Sequence, residues 1–137
     1  FKELGRPKLP AGLPDTIDPN LFVDDDGRLY FYWGCSETLG IHGIELDASD
    51  PTRPIGQAKQ LIPFSPDAHP WERVGEWNQN RNAGWVEGAW MIKHQGRYYL
   101  TYSAAGTEHR AYAMGAYIGG EKRPRALSTC DTSVNTP

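Results

Sequence analysis

The stretch DPNLFVDDDGRLYFYWG, residues 18–34, decides the fold because the chain holds a second version of it, EGAWMIKHQGRYYLTYS, at residues 87–103. The two versions align at a constant offset without a gap, so that Gly27 falls on Gly96. Each has a short apolar run, a polar turn ending in Gly-Arg and an aromatic-rich run, which is the pattern of a β-hairpin. A repeated hairpin of this kind predicts a repeat architecture.

The residues around each hairpin predict further antiparallel strands. The first copy predicts four strands, at residues 21–23, 28–33, 41–46 and 58–62. The second copy predicts three, at residues 90–93, 97–103 and 112–118. Four short strands in about 45 residues are the size of one propeller blade. We therefore expect an all-β fold, a partial β-propeller of about two four-stranded blades.

This interpretation divides the chain into five parts. They are an irregular lead-in (1–16), a blade carrying Asp18 (17–62), a long loop (63–85), a blade carrying Glu87 (86–120) and a polar, disordered tail (121–137). A loop as long as residues 63–85 within a compact domain is usually functional or disordered. Two blades alone would leave apolar faces uncovered, so association into a homo-oligomer that completes the propeller is one expectation.

The composition argues against several classes of function. The net charge of −3 gives no electrostatic basis for binding nucleic acid or an acidic membrane, and no apolar run is long enough to span a bilayer. We expect Cys35 and Cys130 to be free thiols, because two cysteines make no disulfide framework. Phe1 is not an initiator methionine, and the sequence assigns no compartment.

Asp18 and Glu87 occupy equivalent positions just before the first strand of each copy. Two equivalent repeat elements would aim two carboxylates from equivalent points, and paired carboxylates are what acid-catalysed glycoside cleavage requires. The indoles of Trp85 and Trp90 flank Glu87 and would raise its pKa by desolvation. The alternatives are a solvated loop acid for Glu87 and a turn-starting Asp-Pro for Asp18.

Both segments resemble glycoside hydrolase family 43, the five-bladed β-propeller arabinofuranosidases and β-xylosidases. Residues 17–34 resemble that family's second blade, and residues 85–107 its third, so the chain looks like a partial member covering those two blades. The resemblance implies cleavage of arabinofuranosyl or xylosyl linkages in plant polysaccharides with inversion. It also implies that Glu87 is the general acid and that Asp18 orients it and tunes its pKa.

The family's general base is an Asp on a first blade, which residues 1–16 are too short to form. Asp15, a turn acid of the DDDG sequence (Asp24, Asp25 or Asp26) or a neighbouring copy of the chain could substitute, although the turn acids are expected at the wrong end of the hairpin. Two rival functions therefore stay open. One is a non-catalytic or vestigial sugar-binding fragment, and the other is a related five-bladed enzyme acting on fructans or agar oligosaccharides.

Aromatic rings can stack on sugar faces, and we expect Trp77, Trp85 and Trp90 to bind substrate. A structural place in the β core is an equal alternative for Trp90, whereas Trp77, in the long loop, is the better stacking candidate. No cofactor or metal is expected. The four histidines lack metal-ligand spacing. The DDDG turn is not a calcium loop of the EF-hand type, because Cys35 stands where that loop needs Glu.

Overall fold

The computed structural model describes residues 2–13 and 15–119, and its regular structure is almost entirely antiparallel β-sheet. The first sheet has the order β1-β2-β3-β4, with β1 Asn20–Val23, β2 Leu29–Trp33, β3 Ile41–Asp47 and β4 Asp50–Ile62. A 3₁₀ turn, Pro70–Glu72, leads into a small hairpin of β5 Arg73–Val74 and β6 Asn80–Gly84. The third sheet has the order β7-β8-β9, with β7 Val86–His94, β8 Arg97–Ala104 and β9 Ala113–Ile118. The prediction of an all-β fold is confirmed.

Two parts of the prediction need correction. Strand β4 begins at Asp50 and not at residue 58, because Pro51 and Pro54 are tolerated in an edge strand whose pairing with β3 is interrupted by register shifts. The segment 63–85 is not one irregular loop, since it contains the β5–β6 hairpin. Its strand β6 reads NRNAG and has no apolar alternation by which it could be recognised.

The first and third sheets pack face to face through an apolar core. Alternate residues of β7 and β8 are buried, as expected for strands with one face towards a core. The cluster consists of Tyr30, Tyr32, Ile41, Leu61, Ile62, Val86, Ala89, Met91, Tyr98, Leu100, Tyr102, Ala104 and Tyr117. Strand β2 is buried on both faces, because Leu9 and Leu13 of the lead-in pack near Phe31 and Trp33 on its other side.

The segment between the two sheets is anchored by a buried carboxylate. Glu72 is fully buried and accepts hydrogen bonds from Tyr102 Oη at 2.6 Å and from Ser65 N at 2.8 Å. These bonds satisfy a group that would otherwise be costly to bury. The segment therefore has a fixed place against the third sheet.

Among the residues that the structure describes, the remaining face of the third sheet is open. Trp90, Ile92, Met114 and Ile118 are all exposed on β7 and β9. Cys130, the predicted tail and any fourth strand of the second copy lie outside the described residues. No helix in the described part of the chain combines the length and apolar character of a membrane span.

Candidate active site

The inner strands of the two copies, β1 and β7, lie side by side and run in the same direction. Side-chain hydrogen bonds join them at three successive levels: Gly88 N to Asp18 Oδ2 (3.0 Å), Met91 N to Asn20 Oδ1 (3.0 Å) and Lys93 Nζ to Asp24 Oδ1 (2.5 Å). Equivalent positions of the repeat are thus neighbours in space. This arrangement is the reason that the side chains before β1 and at the start of β7 meet at one end of the strand pair.

Asp18 is held at this end by an unusual backbone. Its φ angle of 51° lies in the left-handed region, which Asp tolerates better than most residues. The preceding residue is fixed, because Gly34 N donates to Ile17 O at 3.0 Å. The carboxylate of Asp18 is exposed and accepts the hydrogen bond from Gly88 N.

Glu87 is the second residue of β7 and does not precede that strand as the sequence predicted. A β-bulge separates its pair with Ser103 from the pair of Trp90 with Thr101. Gly88, in the bulge, has a φ of +66°, which a side chain would strain. The repeat pattern showed no bulge, and the bulge aims the Glu87 side chain towards Asp18.

Both carboxylate oxygens of Glu87 accept hydrogen bonds. Tyr112 Oη donates to Oε1 at 2.7 Å, and Cys35 Sγ donates to Oε2 at 3.2 Å. Carboxylate oxygens of Asp18 and Glu87 and the sulfur of Cys35 lie within 4.8 Å of one another. The structure therefore brings Asp18 and Glu87 together and adds Cys35 and Tyr112, which the sequence did not single out.

Cys35 reaches the cluster through a long-range backbone contact. An isolated bridge between Ser36 and Val86 has two N–H···O bonds of 3.3 Å and pins the segment after β2 against the start of β7. No local sequence pattern signals such a bridge. It places the thiol next to the carboxylate of Glu87.

Both donors keep their protons at neutral pH. Burial raises the pKa of Cys35 to about 12, and the neighbouring carboxylates of Glu87 and Asp18 act in the same direction. Burial also raises the pKa of Tyr112, with the charge on Glu87 adding to it and a hydrogen bond with Ser103 opposing it. The two donors to Glu87 are therefore uncharged, and neither forms an ion pair with its carboxylate.

An open depression of about 420 Å³ lies over the cluster. Its lining comprises Asp18, Pro19, Glu87, Gly88, Ala89, Trp90 and Tyr112. Of the three tryptophans predicted to bind sugar, Trp90 is 58% exposed and joins this lining. Trp85 and Trp77 do not line it. The guanidinium of Arg110 lies over the ring of Trp77 at 4.1 Å from its centroid, and Trp77 as a whole is 72% exposed.

The substitute bases suggested by the sequence lie elsewhere. Asp24 is at the opposite end of β1, where its carboxylate binds Lys93 and Tyr98. Asp26 forms an ion pair with Arg28 in the same turn. Asp15 lines a different cavity, beside the lead-in. Among the described residues, only Asp18 and Glu87 bring carboxylates to the lining of the depression.

Asp18, Cys35 and Glu87 are also the one trio in residues 2–13 and 15–119 whose carboxylate and sulfur atoms are close enough to share a metal ion. Each of the three side chains already accepts or donates a hydrogen bond within the site. The trio is better described as a hydrogen-bonded acid cluster.

Comparison with known proteins identifies the family. The model of the family "Glycosyl hydrolases family 43" matches residues 1–128. The chain belongs to this family. Xylosidase/arabinosidase 43A from Humicola insolens is 32% identical over 69% of this chain, and a β-xylosidase from Xylanibacter ruminicola is 30% identical over 73% of it.

The family-43 chain spans about a third of the length of these curated relatives, 36% and 37% respectively. Solved structures agree. A thermostable family-43 glycoside hydrolase matches with a TM-score of 0.64 and 27% identity, covering 83% of this chain and 36% of that one. An endo-1,4-β-xylanase from Bacteroides thetaiotaomicron matches with a TM-score of 0.61 and 28% identity, covering 86% and 38%.

These matches confirm two predictions made from the repeat. Family-43 neighbours are β-propellers, and the sheets described above correspond to part of one. The resemblance to family 43, in a chain that covers it only partly, is confirmed as well.

Proposed function

We propose that this chain carries the acid-catalytic part of a glycoside hydrolase that cleaves arabinofuranosyl or xylosyl linkages of plant polysaccharides or their oligosaccharides. Membership of family 43 and the printed activities of the relatives support this class of substrate. The observation that carries the proposal is the convergence of Asp18 and Glu87, from equivalent points of two repeats, over one open depression.

Glu87 protonates the departing glycosidic oxygen in this proposal, and Asp18 orients it. An inverting acid–base pair needs carboxyl groups about 6.5–9.5 Å apart, so that a water molecule fits between the base and the sugar. Asp18 and Glu87 have oxygens within 4.8 Å. Asp18 is therefore too close to be the base of an inverting reaction, and the base comes from outside the residues that line this depression.

The experiment is a substitution of Glu87 that keeps its shape. Glu87→Gln removes the transferable proton, and we expect kcat on aryl arabinofuranosides and xylosides to fall by about 10²–10⁴-fold. Glu108→Gln is the matched control, since Glu108 is an exposed acid in the loop before Tyr112. Unchanged turnover in the Glu87 variant would contradict the proposal.

A second candidate function is sugar binding without turnover. It is favoured by one observation: the described lining contains only two carboxylates, and their oxygens lie within 4.8 Å, which is too close for an inverting acid–base pair. In that case calorimetry would detect binding of arabino- or xylo-oligosaccharides to the purified protein, while no nitrophenol would be released from aryl pentosides.

Two further parts of the proposal concern binding. Trp90 is the best supported of the three proposed sugar platforms because it borders the depression, and Trp77 and Trp85 would serve only more distant sugar units.

Association between copies through the open face of the third sheet is proposed from its exposed apolar side chains. A monomer mass at all concentrations in sedimentation experiments would contradict the proposed association between copies.

A further inference from the structure

The carboxyl group of Glu87 is held by two donors that arrive from different segments. Tyr112 is fixed by its backbone, since Tyr112 N donates to His109 O at 3.0 Å, and Cys35 is fixed by the bridge after β2. Each donor binds a different oxygen of Glu87. The last side-chain torsion of a glutamate is soft and broadly populated, and two bonds to two oxygens stop rotation about it.

Orientation matters for an acid catalyst. Proton transfer requires a heavy-atom distance of about 2.6–3.2 Å between the acid and the receiving oxygen, and misplacement by about 1 Å can cost two orders of magnitude in rate. Glu87 sits beside a β-bulge and under an open depression. Packing by itself therefore does little to fix its carboxyl plane.

We infer that Tyr112 and Cys35 are positioning residues that together set the plane of the Glu87 carboxyl group relative to the leaving oxygen. The inference deepens the proposed function and rests on it. Both side chains are neutral donors, so they orient Glu87 without neutralising it. A cation in either position would pair with Glu87 and hold it as a carboxylate, which cannot donate a proton.

Three substitutions separate the two contacts. Tyr112→Phe removes only the hydroxyl, Cys35→Ala removes the thiol, and Cys35→Ser restores a donor at the same place. Tyr99→Phe is the matched control, because Tyr99 pairs with Ile92 and Ile118 at the far end of the third sheet. All four are small changes that leave the core cluster intact.

The decisive readout is the dependence on the leaving group. A phenyl pentoside needs protonation of its departing oxygen, whereas a 2,4-dinitrophenyl pentoside needs almost none. We expect Tyr112→Phe and Cys35→Ala to lower kcat on the phenyl substrate by about tenfold. On the dinitrophenyl substrate kcat should stay within about twofold, KM should be nearly constant on both, and Cys35→Ser should recover most of the loss.

Equal losses on both substrates, or no loss on either, would overturn the inference. Failure of the proposed function looks different, because Glu87→Gln would then be fully active. If Glu87→Gln is inactive and Tyr112→Phe is unaffected on the phenyl substrate, only the positioning role fails.

A readout independent of turnover tests the Cys35 contact. In a Cys130→Ala background, the rate of alkylation by iodoacetamide at mildly alkaline pH reports the Cys35 thiol alone. Glu87→Gln removes a negative charge and an acceptor that hold the proton on this thiol, so we expect alkylation to become several-fold faster. An unchanged rate would show that Cys35 and Glu87 are not in contact and would overturn the inference.

Discussion

Both ends of the β1–β7 strand pair carry acidic side chains, but only one end pairs its acid with a cation. At one end, Asp24 is buried and bonded to Lys93 and Tyr98. At the other end, Asp18 and Glu87 lie close together, and no Lys or Arg among the described residues forms an ion pair with either of them. The same repeat thus builds a neutralised acid and an unneutralised pair.

At the Asp24 end, paired charges and hydrogen bonds stabilise the contact between β1 and β7. Burial acts to raise the pKa of Asp24, but hydrogen bonds from Lys93 and Tyr98 outweigh it and the net shift is downward. Lys93 also contacts Asp25 and lies over the ring of Tyr98. In the proposed function, the Asp24 end provides stability and the Asp18–Glu87 end provides the chemistry.

The largest effect that would sharpen this comparison is expected from Asp18→Asn. Removing this charge should lower kcat on aryl pentosides by about 10²-fold, because Asp18 faces Glu87 and binds Gly88 N. The melting temperature should hardly change, since Asp18 is exposed. Asp26→Asn, at the opposite turn, is the control and should leave kcat unaltered. Loss of folding in Asp18→Asn would break the division between the two ends.

A smaller effect is expected from an alanine at the bulge. Gly88→Ala and Gly96→Ala both place a side chain at positive φ, +66° and +76° respectively, where little else crowds it. Each should therefore lose about 1–2 kcal/mol of unfolding free energy. Only Gly88→Ala should also lose activity, by about tenfold, because the bulge aims Glu87. Equal activity of the two variants in parallel denaturation and turnover assays would show that the bulge has no such role.

At the Asp24 end, Tyr98→Phe should lower the free energy of unfolding by about 1 kcal/mol without changing kcat. The hydroxyl of Tyr98 donates to Asp24 Oδ2 in a buried setting, and its loss leaves Lys93 Nζ and Asp25 N, both on Oδ1, as the remaining donors. Urea denaturation measures the change. A fall in kcat larger than the loss of folded protein would indicate that this end also serves the reaction.

The smallest effect concerns pH. Because the folded-state pKa of Asp24 is lowered, its contribution to stability is present above the unfolded value of about 3.9 and is lost as pH falls through the folded value. As pH falls from about 5 to about 2, melting temperatures should therefore decline less steeply in Asp24→Asn than in the wild type. Identical slopes would mean that Asp24 gains nothing from Lys93.

The sequence predicted the convergence of Asp18 and Glu87 because a repeat places equivalent residues in equivalent surroundings. Alternation and turn residues located most strands for the same local reasons. The position of Glu87 relative to its strand was wrong, since a bulge around Gly88 leaves no trace in a pattern with a period of two.

What could not be predicted depends on long-range contacts. Cys35 enters the site through the Ser36–Val86 bridge, and Tyr112 enters it through the loop that follows β8. The position of Trp77 beside Arg110 comes from the β5–β6 hairpin, which shows no strand pattern in the sequence. Each of these placements is set by how separate segments pack, which a single sequence does not encode in local patterns.

The most direct test of the central claim is a double-mutant cycle between Asp18→Asn and Glu87→Gln, with kcat on an aryl pentoside as the readout. Two carboxyl groups that act as one unit give strongly non-additive losses. We predict that adding Asp18→Asn to Glu87→Gln lowers kcat no further. Losses that multiply would show that the two acids act independently and would contradict the account.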